Sequence, residues 1–103
     1  MSTYPDPDQP LHLHDTQALL NQVNELCDRH GIDRVALWWD ALDRDGAEMP
    51  TPDGLEWIDQ MDDGRVIARA WREADRVKVI GRREDLTYGE ALQLVAEAAG
   101  VPC

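Results

Sequence analysis

Apolar residues recur every three or four positions between Asp15 and His30, where Leu19, Leu20, Val23, Leu26 and Cys27 fall on one side of a helix. Asp15 or Thr16 can cap its start. Gly31 followed by Ile32 predicts a left-handed stop with Ile32 folded back on Cys27. The same period returns near the C-terminus. There Thr87 and Glu90 form a T-x-x-E capping box, Leu92, Val95, Ala96 and Ala99 make an apolar stripe, and Gly100-Val101-Pro102 ends the element.

Between the helices the period shifts. The run from Asp33 to Leu42, DRVALWWDAL, is ambiguous, since Val35, Trp38, Trp39 and Leu42 also fit a short helix capped by Asp33 and stopped by Gly46. An aromatic-rich run placed directly after a Gly-Ile helix stop reads better as the passage from helix to strand. On a strand, neighbouring side chains face opposite ways, so Trp38 and Trp39 cannot share one core. One is expected against Leu19, Val23, Leu92 and Val95, the other beside Trp71 or Trp57. Residues 43–54, with two Asp-Gly pairs and two prolines, read as a loop. Leu55 to Met61 alternates imperfectly, and Asp62-Asp63-Gly64 is a hairpin-type turn before Arg65 to Trp71. A second turn near Glu73 to Asp75 leads into Val77 to Ile80. The fold class expected is α+β, a two-layer sandwich in which two helices cover an antiparallel meander of three or four strands, in the order α-β-β-β-(β)-α.

Residues 1–13 carry Pro5, Pro7 and Pro10 among acidic and polar residues, and read as a flexible, acidic, Pro-rich tail on a single domain over 14–103. A chain of 103 residues buries roughly 60–65% of its unfolded surface, enough for one modest core. Acidic residues number 21 against 10 basic, a net charge of -11, which disfavours direct contact with a phosphate backbone and favours basic or neutral partners. Cys27 and Cys103 show no ligand or disulfide spacing, no apolar run reaches a membrane span, and the N-terminus lacks a secretory pattern, so the expected location is cytoplasmic.

The topological order resembles that of double-stranded-RNA-binding domains. The chemistry does not follow it, because the run that would have to be basic to meet phosphates is Glu84-Asp85-Leu86-Thr87-Tyr88-Gly89-Glu90. No G-x-S-x-G, P-loop, G-x-G-x-x-G or H-E-x-x-H is present, so neither catalysis nor a cofactor is expected. His12-Leu13-His14-Asp15 is the one cluster with metal-ligand character, and it is too small for a site when His30 lies a helix length away. Cys27, on the apolar stripe, is expected to be an inert buried thiol.

What remains is surface. From Arg65 to Glu73, Val66, Ala68 and Ala70 form a face small enough for close helix packing, while Arg65, Ile67, Arg69 and Trp71 form the other. Tryptophan and arginine are enriched at interface hot spots. The four tryptophans also exceed what one small core readily covers. The function expected is therefore a small acidic protein-interaction module that self-associates, as a homodimer, through an open sheet face. The candidates for that face are Trp38, Trp39, Trp57, Ile67, Arg69 and Trp71. A long side chain or the 43–54 loop folded across the face would cancel this reading. The alternative is an acidic inhibitor or nucleic-acid mimic, of the kind a phage would encode, whose carboxylates occupy the basic groove of a nucleic-acid-handling enzyme. It would require Asp43, Asp45, Asp53, Asp59, Asp62 and Asp63 to share one ridge.

Overall fold

The computed structural model describes residues 4–41, 48–51, 54–57, 68–81 and 86–102. A short 3-10 turn, Leu13–Asp15, leads into helix α1, Thr16–His30. Strands follow as β1, Ala36–Ala41; β2, Glu48–Thr51; β3, Gly54–Trp57; β4, Arg69–Glu73; and β5, Arg76–Gly81. Helix α2 spans Tyr88–Ala99.

The helix ends follow the residues that marked them. Gly31 closes α1 at φ 69°, and the Ile32 amide reaches back 2.8 Å to the Cys27 carbonyl. Gly100 closes α2 at φ 88°, with the Val101 amide 3.0 Å from the Ala96 carbonyl. At the start of α2 the Glu90 amide donates to Thr87 Oγ1, while Glu90 Oε1 accepts from the Thr87 amide, both at 3.1 Å. Asp15 precedes α1 but turns its carboxylate backwards, accepting from the His12 amide at 3.1 Å and from Gln9 Nε2 at 3.2 Å. Those two donors, with His14 Nε2 at 3.4 Å, account for a carboxylate that is almost fully buried.

The main sheet is three-stranded, in the order β1-β5-β4. β4 and β5 form a hairpin with Glu73 opposite Arg76, turned through Ala74 at φ 53°. β1 lies on the other side of β5 and runs parallel to it, with Trp38 opposite Lys78. The sheet is therefore mixed, which corrects the all-antiparallel meander. Val77 and Val79 are fully buried, as befits a strand flanked on both edges and covered by helices.

β2 and β3 make a separate antiparallel ribbon, closed by Thr51 opposite Gly54. Residues 48–51 therefore belong to a strand where the sequence indicated loop. Pro50 is tolerated because a two-stranded ribbon has outer edges at which a missing amide donor costs nothing. The turn expected at Asp62-Asp63-Gly64 lies outside the described residues.

Both helices pack on one face of the main sheet and share one core with it. Leu19, Val23 and Cys27 of α1 meet Tyr88, Ala91, Val95, Ala96 and Ala99 of α2 above Val77 and Val79. Burial raises the Cys27 thiol above its ordinary range, keeping it in the unreactive protonated form. Asn24 ties α1 to the sheet as a strand would, its side-chain amide donating to the Val35 carbonyl at 3.0 Å and accepting from the Val35 amide at 2.9 Å. Arg72 reaches from β4 to the Ala99 carbonyl at 3.0 Å, placing a cation at the negative end of α2.

The segment read as a tail lies against the start of α2. The Tyr88 amide donates to the Gln9 carbonyl at 2.8 Å, the Gly89 amide to the Pro7 carbonyl at 3.0 Å, and the Leu11 amide to the Leu86 carbonyl at 2.9 Å. Leu11 is 3% exposed and belongs to the core. With Glu90 and Ala91 bonded to Thr87, the first four amides of α2 are all satisfied. Prolines without free amides suit a segment that contributes mainly carbonyls.

Candidate interaction surface

β-strand alternation divides the side chains of the sheet into two sets. Leu37 and Trp39 of β1 and Ala70 of β4 pack toward the helices, and Trp39 borders the core. Trp38 points the other way and is 53% exposed, the largest apolar side chain left in solvent on the sheet. The two adjacent tryptophans thus lie on opposite faces.

Register builds the outer face in rows. In the central row Lys78 of β5 sits between Trp38 of β1 and Trp71 of β4. One row along, Ile80 sits between Asp40 and Arg69, and one row back Arg76 sits between Ala36 and Glu73. Lys78 Nζ lies 2.9 Å from Glu73 Oε2, and that ammonium, with the Trp71 indole, holds the Glu73 carboxyl below its ordinary range. Asp40 is exposed and makes no ion pair among the described residues. Among the described residues, three cations stand against two carboxylates on this face, in a chain whose net charge is -11. Locally the face is close to neutral, so it adds no acidic contact of its own, while repulsion from the rest of the acidic surface remains and is reduced by salt.

Of the candidates from sequence, Trp38, Trp71 and Arg69 come together on this face, and Trp39 is withdrawn to the helix side because its neighbour took the outer position. Trp57 lies on β3, and Ile67 is outside the described residues. Sequence reasoning missed Lys78, Ile80, Arg76 and Asp40. The signal was available, since burying Val77 and Val79 forces Arg76, Lys78 and Ile80 outward. The acidic ridge of Asp43, Asp45, Asp53, Asp59, Asp62 and Asp63 lies wholly outside the described residues.

Elsewhere the candidate chemistry is sparse. His12 and His14 stack with ring centres 5.4 Å apart, and among the described residues no group of three or more potential ligands could hold a metal ion. Among the same residues no helix is long and apolar enough to cross a membrane. Compared with family models, with curated proteins and with solved structures, the chain matches none of them.

Proposed function

We propose that this protein is a small interaction module that associates with itself through the outer face of the β1-β5-β4 sheet. The observation that carries the reading is Trp38, half in solvent on a strand whose opposite side is anchored to the core. An indole held on a sheet loses little conformational freedom on binding, so most of its desolvation energy remains available for association. Trp71 and Ile80 extend the apolar area on both sides of Lys78.

The size of the face sets the expected strength. Three strands of five or six residues span roughly 20 Å by 15 Å, which places the contact at or below the low end of specific interfaces, in the class of transient, micromolar association. Light scattering up to several hundred micromolar, at an ionic strength near 0.15 M to screen the acidic surfaces, is the appropriate test. The wild-type chain should approach the mass of a dimer and Trp38→Ser should stay monomeric. A wild-type chain that is a strict monomer throughout sinks the proposal.

A further inference from the structure

We infer that residues 4–11 form a strap that swings away from the body as one unit about His12, without unfolding the rest of the chain, and that the contact of Gln9 with Asp15 is its latch. The strap is bonded within itself. Asp6 accepts from the Gln9 amide through its carbonyl at 3.2 Å and from the Asp8 amide through Oδ1 at 2.9 Å, a turn with Pro7 at its second position. Neither bond involves another element, so the turn keeps its shape when the strap leaves. His12, where the strap ends, is exposed and extended, at φ -102° and ψ 157°, and can rotate without moving a buried side chain.

What holds the strap to the body is little beside what holds the body together. Among residues 4–11 only Leu11 is buried, while the rest of the core runs from Leu19 to Val101. Three backbone hydrogen bonds reach the start of α2, from the Tyr88 amide to Gln9, from the Gly89 amide to Pro7, and from the Leu11 amide to Leu86. The Tyr4 hydroxyl donates to Glu25 of α1. Gln9 Nε2 donates to Asp15 Oδ2 at 3.2 Å, and Asp15 stays with the body because it directly precedes α1 and keeps its bond from the His12 amide. A terminal segment with one buried side chain belongs to the least stable cooperative units of a fold. Its opening leaves the Tyr88 and Gly89 amides without acceptors and vacates the place of Leu11, 3% exposed. The closed strap therefore keeps two amide donors and an apolar site occupied by the chain's own residues.

Native-state hydrogen exchange of the full chain, followed by NMR over a series of low urea concentrations, tests the strap. The Leu11, Tyr88 and Gly89 amides should share one protection factor, at least about 100-fold below those of Val23, Val79 and Val95, and nearly independent of urea because little surface is uncovered. Gln9→Ala removes the bond to the Asp15 carboxylate and leaves the Gln9 carbonyl in place. It should lower the protection of those three amides about tenfold, the worth of one hydrogen bond to a charged acceptor, and leave Glu90 and Ala91, bonded to Thr87 in the same helical turn, unchanged. Protection of the three amides equal to that of the core means that the segment leaves only when the whole chain unfolds, and overturns the strap. Glu90 and Ala91 losing protection with Tyr88 and Gly89, while Leu11 keeps its own, also overturns it, in favour of fraying of α2. Unchanged protection in Gln9→Ala overturns the latch.

Discussion

Gly89→Ala should destabilise the protein, although alanine is the better helix former. Gly89 occupies the second position of α2, where replacement of glycine by alanine is worth up to about 1 kcal/mol in favour of the helix. A Cβ added there would lie 2.9 Å from Pro7 Cβ and 3.1 Å from the Pro7 carbonyl oxygen. A pyrrolidine ring cannot rotate away, so the segment itself must move. Its movement loosens the Gly89 to Pro7 and Tyr88 to Gln9 hydrogen bonds, each worth about 1 kcal/mol net, and threatens the burial of Leu11, worth about 2 kcal/mol. Partial loss of these outweighs the helix term and leaves a net cost of about 1–2 kcal/mol. For a domain of this size that lowers Tm by roughly 4–12 °C, readable by thermal and urea unfolding. The control is the same substitution after deletion of residues 1–7. With Pro7 gone, Gly89→Ala should become stabilising. A stabilising effect in the full chain would refute the docking of the N-terminal segment.

The neighbouring tryptophans should separate stability from surface. Trp39→Ala, which opens space beside the core, is expected to cost about 2–3 kcal/mol, whereas Trp38→Ala, half in solvent, should cost under about 1 kcal/mol. Urea midpoints measure both, and equal severe losses would contradict the two-faced strand. Tyr88, whose hydroxyl donates to Gln22 Oε1 at 2.8 Å, has its phenol pushed up to about 12 by burial and then by the charges of Tyr4 and Asp15. An unfolded tyrosine ionises near 10, so the stability tied to the neutral phenol is fully present below that pH and lost as pH rises toward 12, by at most about 2 kcal/mol. Ultraviolet titration beside urea melts tests it, and a Tyr88 phenolate forming near pH 10 in the folded chain would contradict the burial.

Elements defined by local chemistry were legible. Each helix stop rests on a glycine followed by a residue that bonds back within six positions, and the capping box of Thr87 and Glu90 is equally local. The opposite placement of Trp38 and Trp39 follows from the pleat once a strand is assumed. Strand order is different in kind. Val77-Lys78-Val79-Ile80 alternates identically whether β5 ends a meander or sits between two neighbours, so the parallel pairing to β1 was invisible. Residues 48–51 lacked a periodic signal because a two-stranded ribbon containing proline requires none. The N-terminal segment hid behind its prolines, since its attachment depends on carbonyls and one leucine that no composition rule weighs. Of the outer sheet face, the sequence singled out Trp38, Trp71 and Arg69; alternation about Val77 and Val79 could have added Lys78 and Ile80, and register was needed to show which residues stand side by side.

The central claim, that the outer sheet face is the self-association surface, is tested most directly by the four indole N–H signals in a nitrogen–proton NMR spectrum recorded from about 10 µM to about 1 mM, a range that brackets a transient interface. The signals are assigned by single Trp→Phe substitutions. The account expects the Trp38 and Trp71 signals to shift or broaden together with concentration while Trp39, on the helix side, holds its position. Spectra that do not change with concentration, or changes that fall on Trp39 and spare Trp38, would contradict it.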